Sequence, residues 1–258
     1  MSVFISGLIV AHNEEQKIED ALKSLDFCDE IIVVLDNCTD GTEGICKKFT
    51  KHILKGSWPI EGERRAIGID ACKGKWIVEL DADERVSDPL KRELQHTLKD
   101  APDGYFQTPI DNYVGGRLVQ HGWAGSFGTT RTKKVFSKGS KVWGMDRVHP
   151  KLELKGQEME LFNPIVHLVD DDIDDMIDRL QRYSTAMAKD MRDRHEPAPH
   201  PLKTFRKMLT RFYKSYLGRK GYKEGRMGFF LAVVTAMMPL MIHVKRAYEY
   251  TDDAGKKS

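Results

Sequence analysis

Two carboxylates one residue apart, Asp81 and Asp83, follow the apolar run Trp76-Ile77-Val78-Glu79-Leu80. A third, Asp36, closes a second such run, Glu30-Ile31-Ile32-Val33-Val34-Leu35. Hard oxygen donors of this kind suit Mg2+ or Mn2+, ions that fill their remaining positions with substrate phosphates and water. An Asp-x-Asp pair is common in surface turns, so the pair alone says little. Its weight comes from its place after a buried strand, with Asp36 ending another. His167 closes a further apolar segment, Phe162-Asn163-Pro164-Ile165-Val166. A neutral imidazole there suits Mn2+, and a hydrogen-bonded core histidine fits the pattern equally well.

The elements that must position these groups read as α/β. Phe4 to Ala11 is a short apolar run suited to a strand covered on both faces. His12-Asn13-Glu14-Glu15-Gln16 reads as a helix start, with Asn13 as N-cap and Gln16 at the capping-box position. Ile18, Ala21, Leu22 and Leu25 continue it at helical spacing. Further strands are expected at 30–36, 52–54 and 76–80, with helices between them and one at 62–72. Strands alternating with helices mean crossover connections and a largely parallel sheet, whose ligands bind beyond the strand C-termini. No Gly-x-Gly-x-x-Gly and no Walker Gly-Lys-Ser/Thr occurs, which disfavours dinucleotide and P-loop sites.

From about Gly104 to His167 the extended pieces are shorter and separated by Gly-rich turns, so this half is expected to be mixed or antiparallel. The acidic run Asp170–Asp178 reads as a helix start with carboxylates at the favourable end. Glu196-Pro197-Ala198-Pro199-His200-Pro201 is a Pro-rich break and the expected linker.

The 258 residues hold 41 basic and 39 acidic side chains, a net charge of +2, which argues against nucleic acid as a bulk partner. The balance hides an asymmetry: residues 200–258 carry +9 and the rest −7. Nine basic residues over 203–226 are interleaved with Phe205, Leu209, Phe212, Tyr213, Tyr216 and Tyr222. That reads as an amphipathic segment for an anionic membrane surface, or as a basic face packed on the acidic body. Met227 to Val244 is 18 residues long and uncharged apart from His243, borderline for a membrane span. The four cysteines show no Cys-x-x-Cys spacing and read as reduced thiols. No secretory leader pattern precedes the first strand. The expectation is a cytoplasmic protein, peripheral at the inner face of the cell membrane if the tail binds it.

Four motifs in order and spacing resemble those of family 2 glycosyltransferases with the GT-A fold, over most of residues 3–170. They are Ile9-Val10-Ala11-His12-Asn13-Glu14-Glu15, then Glu30 to Thr42, then Arg64 to Gly74 ahead of a Trp-led strand, then Leu80-Asp81-Ala82-Asp83-Glu84. Trp143, Val148-His149, Arg182-Tyr183-Ser184 and the basic tail look most like the small lipopolysaccharide-core β-glucosyltransferases. The resemblance implies a Rossmann-like, mostly parallel sheet with a mixed second half and a helical basic C-terminal tail. It implies a GT-A domain over 1–195, with 1–100 as nucleotide half and 101–195 as acceptor half, and an extension over 202–258.

Roles follow from the same resemblance. Ala11, Asn13 and Glu14 would border the nucleotide, Asp36 would hydrogen-bond uracil, and Arg64 would lie near the nucleotide. The bland readings are a turn-former for Asp36 and a surface helix residue for Arg64. Asp81 would face ribose and metal, and Asp83 would hold the divalent ion, Mg2+ or Mn2+, with His167 as a further ligand. The reaction implied is inverting transfer of a hexose, glucose from UDP-glucose, to a lipopolysaccharide-core or other glycan or lipid-linked acceptor. Such a reaction needs a carboxylate base for the acceptor hydroxyl. Relatives carry Glu directly after the His of the Val-His pair, but here His149 is followed by Pro150. Asp146 is the favoured replacement, with Glu153 next and Asp111 farther back. Two other readings remain open on sequence: a nucleotidyltransferase, and a nucleotide-sugar-binding protein without turnover.

Overall fold

The computed structural model describes residues 4–144 and 152–249. In chain order the first elements are β1 (Ile5–Ala11), α1 (Ile18–Ser24), β2 (Glu30–Asp36), α2 (Thr42–Cys46), β3 (His52–Gly56) and α3 (Glu61–Ala71). Next come β4 (Trp76–Asp81), β5 (Glu84–Val86), α4 (Asp88–Thr97), β6 (Gly104–Val114), β7 (Arg117–Val119), β8 (Arg131–Ser137) and β9 (Lys141–Trp143). The chain continues through β10 (Leu152–Leu154), β11 (Gln157–Glu160), β12 (Ile165–Asp170), α5 (Ile173–Asp193), α6 (Pro201–Tyr213) and α7 (Arg226–Val244).

Two compact units divide the chain, one of residues 1–111 and 131–167, the other of 112–130 and 168–258. In the first unit β3, β2, β1 and β4 run parallel, and β8 adds antiparallel to β4. Every residue of β1 is buried, as its unbroken apolar run requires of a strand covered on both faces. One face packs Ile9, Leu22, Val33, Val78, Leu80 and Leu94 into a single core. The other packs Leu8, Val10, Val34, Ile69, Ile77 and Phe136 under α3. Gly68 permits this close approach, because a Cβ there would lie 2.6 Å from Leu8 Cδ1. The second half of the unit is mixed, as expected: β8 is antiparallel to β6, whereas β11 joins β6 in parallel. β5 pairs antiparallel with β12, setting His167 opposite Glu84.

The second unit is mainly helical. Asp172 caps α5 by accepting a 2.8 Å hydrogen bond from Asp175 N, so the acidic run does open a helix. Its core joins Met176 and Leu180 of α5 to Leu231, Val234, Met238 and Ile242 of α7. The Pro-rich 196–201 segment lies inside this unit rather than between the two.

One local expectation fails. Residues 12–17 are turn, not helix, and α1 begins at Ile18 with no side-chain cap. Asn13 has φ +54°, and its Oδ1 accepts a 2.7 Å bond from Thr39 N. A partner in the next strand-end loop outcompetes the local cap, and Asn tolerates the left-handed backbone this needs.

Candidate active site

Register brings the strand ends together. Val10 of β1 aligns with Val34 of β2 on one side and Asp81 of β4 on the other. Asp36 and Asp81 therefore flank β1, two strand spacings apart and with Asp36 two residues farther along, about 12 Å between backbones. Both lie on the C-terminal edge of the parallel strands, where ligands of such sheets bind. A separate cleft of about 620 Å³, lined by Leu22, Ile31, Phe49 and His52 among others, opens at the opposite end of these strands.

Around Asp36 the loops are tightly cross-tied. Asp36 is buried, its Oδ1 accepts from Trp58 N at 3.0 Å, and its Oδ2 takes a 2.7 Å ion pair from Arg64 Nη1. Arg64 is thus neither remote nor an ordinary surface residue. His12 Nδ1 lies 2.5 Å from Asp36 O, and Glu14 N donates to Thr42 Oγ1 at 2.8 Å. Glu15 Oε2 accepts from Gly41 N at 2.6 Å. These bonds hold the Ala11–Glu15 and Asp36–Thr42 loops as one ledge. Burial, and next the Asp83 carboxylate, push the Glu14 carboxyl above its ordinary value.

Asp81 is held by two cations from different elements: Arg65 Nη2 of α3 at 3.0 Å and Lys134 Nζ of β8 at 2.6 Å. Lys134 also bonds the buried Glu84. Burial works against the Asp81 anion, but Arg65 and Lys134 outweigh it and hold the carboxyl far below the usual carboxylate range. Its side chain still keeps 36% exposure, so one edge stays open. Beneath it, Glu79 is fully buried between Arg65 Nη1 at 2.6 Å and Lys141 Nζ at 2.5 Å. Trp143 covers both cations, 5.1 Å from each to its ring.

Asp83 and His167 meet, with Nε2 3.4 Å from Oδ2. Asp83 Oδ1 is buried and makes no hydrogen bond, which is costly for a carboxylate oxygen unless a cation or donor completes it. Among the described residues no group of three His, Cys, Asp or Glu is placed to hold a metal. The pair nevertheless fits Mg2+ or Mn2+, which commonly take one or two protein ligands and leave the remainder to phosphate and water. Arg85 braces the turn between Asp81 and Glu84, donating to Ala82 O at 2.6 Å and to Lys17 O at 2.5 Å.

Asp146 lies outside the described residues. Glu153 is exposed on β10, opposite Val142 of β9. Asp111 is half-buried on β6, and burial pushes its carboxyl up. Sequence reasoning missed Arg65, Lys134, Lys141 and Arg85. One signal was available for the first three: Glu79 inside an apolar strand demands a buried cation.

A family model described as Glycosyl transferase family 2 matches residues 6–146. The lipopolysaccharide core biosynthesis glycosyltransferase LpsC of Rhizobium meliloti (strain 1021) is 23% identical over 281 residues, covering 97% of each chain. An uncharacterized glycosyltransferase of Rickettsia conorii is 25% identical, over 90% of this chain and 86% of that one. Glucosyl-3-phosphoglycerate synthase from Mycobacterium tuberculosis, solved with Mg2+ and uridine diphosphate, is 25% identical over 45% of each chain, with a TM-score of 0.34.

Proposed function

The chain belongs to glycosyl transferase family 2 and is a glycosyltransferase of GT-A type, and on that premise we propose a finer reading. The enzyme is an inverting, metal-dependent hexosyltransferase that uses a uridine diphosphate sugar, UDP-glucose, and glycosylates a lipopolysaccharide-core acceptor. The acceptor class is supported by likeness to LpsC along nearly the whole of both chains. The observation that carries the metal and donor chemistry is the orphaned Oδ1 of Asp83 beside His167.

In this reading Asp36 and Arg64 bind the nucleobase end of the donor, and the Ala11–Glu14 ledge borders the nucleotide. Asp81, kept anionic by Arg65 and Lys134, orients the ribose hydroxyls as an acceptor. Asp83 and His167 would hold the divalent ion, which would supply a Lewis acid to neutralise charge on the diphosphate. Proton removal from the acceptor hydroxyl falls to Asp146, with Glu153 and then Asp111 as the residues to substitute next. The enzyme works in the cytoplasm, a reading with which four free cysteines agree.

Calorimetric titration of uridine diphosphate with and without Mn2+ tests the proposal. Binding that tightens with the metal is expected. Absence of binding in both conditions overturns it.

A further inference from the structure

The helical unit carries an apolar surface that its own core leaves uncovered. A surface helix ordinarily turns polar residues outward. On α7 the outward stripe is instead Phe229, Met237, Leu240, Val244 and, one turn beyond, Tyr248, all exposed. Its opposite face, with Leu231, Val234, Met238 and Ile242, is spent on the core. On α6 Leu202, Phe205, Leu209 and Tyr213 are exposed, with Phe205 at 58% and Leu202 at 74%. At 100° per residue these four fall on one arc, and the adjoining arc holds Lys203, Arg206, Lys207 and Lys214.

The two stripes are continuous. α6 and α7 lie antiparallel, tied at one end by His243 Nδ1 to Pro199 O at 2.7 Å. At the other end Phe229 packs edge-on against Phe212 and Tyr216, each 5.9 Å between ring centroids. Tyr216 in turn meets Tyr222. The result is one broad apolar and aromatic surface bordered by basic side chains.

We propose that this α6–α7 surface lies in the interface of an anionic lipid bilayer, with Leu202, Phe205, Leu209 and Phe229 among the acyl chains and the flanking Lys and Arg on headgroup phosphates. Charge complementarity selects this occupant. Residues 203–226 carry nine basic side chains against Glu224 alone, so a second copy set on the same face would bring like charges together. An anionic leaflet attracts them, by about 1 kcal/mol per basic residue or roughly fivefold in binding. Aromatic rings are suited to the level of the headgroups. α7 is itself long and apolar enough to cross a membrane, but its inward face is part of the protein core, which favours lying in the surface. The inference stands on the helical unit alone and does not depend on glycosyl transfer.

The test is co-sedimentation of the full chain with vesicles of phosphatidylcholine, alone or with added phosphatidylglycerol. Binding confined to the anionic vesicles and falling with salt is expected. Replacing Lys203, Lys207 and Lys214 together by Gln should weaken it about a hundredfold. The exposed set Leu202→Ser, Phe205→Ser and Leu209→Ser should abolish it while the circular-dichroism spectrum is retained. Equal binding to neutral vesicles, or no binding to either, overturns the proposal. A concentration-dependent dimer that the serine variant dissolves would assign the face to a second copy. Retention of the chain in native membranes through an alkaline wash would make α7 a span. Uridine diphosphate titration of the same variants keeps a failure here distinct from a failure of the donor site.

Discussion

His167 Nε2 stands 3.4 Å from Asp83 Oδ2 although 84 positions separate the two in sequence. The antiparallel pairing of β12 with β5 makes the meeting, by setting His167 opposite Glu84. Neither strand alone brings the two side chains together, and the pairing does.

Asp83→Ala should therefore lower turnover of the sugar donor by about a hundredfold or more, since charge stabilisation is the largest single contribution to such chemistry. His167→Ala should shift the Mn2+ concentration for half-maximal activity upward by about tenfold. Steady-state assays across a metal titration check both. Unchanged metal dependence in His167→Ala would remove the histidine from the site.

Among the described residues, Arg64→Ala leaves the buried Asp36 carboxylate with Trp58 N as its one remaining donor. Uridine diphosphate should bind about tenfold more weakly, and the chain should lose about 1–3 kcal/mol of stability. Arg64→Lys should restore the charge but only part of the affinity, because a point charge replaces a planar donor. Titration calorimetry and urea unfolding read the two effects.

Glu79 gives a pH signature. Burial alone would raise its pKa, but Lys141 and Arg65 bring it down from 4.5 to about 2. The unfolded chain takes up that proton more readily, so the stabilising contribution is complete above pH 4.5 and disappears as the pH falls toward about 2. Glu79→Gln should flatten the loss of melting temperature across that window. At neutral pH it should cost about 3–5 kcal/mol, because Arg65 and Lys141 stay buried with less countercharge. A melting series from neutral to acid pH measures both.

Gly62 sits where α3 meets the residue after β9: a Cβ there would lie 2.1 Å from Gly144 O. Backbone cannot yield as a flexible side chain does, so Gly62→Ala should cost about 1–3 kcal/mol. Because α3 carries Arg64 and Arg65, nucleotide affinity should fall with it. A variant with normal stability and normal affinity would show that the helix moves without consequence.

Much of the parallel half was legible because its strands are unbroken apolar runs ending in polar loops. β1, β2 and β4 fall where the runs lie, and the edge carrying Asp36, Asp81 and Asp83 follows from crossover topology. Asp36, Arg64, Asp83 and His167 stand out singly through the family resemblance, whereas the contacts Asp36–Arg64 and Asp83–His167 come only from the fold. Asn13 was misread because a capping pattern is local, whereas its actual partner is Thr39 in another loop. The cation cluster under Asp81 escaped for a related reason. Arg65, Lys134 and Lys141 come from a helix and two strands, and nothing in their immediate neighbours marks them as buried. The base was illegible because Pro150 stands where the family resemblance leads one to expect a carboxylate.

The buried Glu79 also bears on how the sheet assembles. Side chains alternate along β4, with Trp76, Val78 and Leu80 in one core and Ile77 in the other. A slip of a single residue would turn Glu79 toward the wholly apolar side, away from Arg65 and Lys141, stranding an anion among hydrocarbon. One charged residue in the central strand thus acts as a proofreader of alignment, disfavouring misthreaded sheets in which Asp81 at the end of the same strand would point the other way.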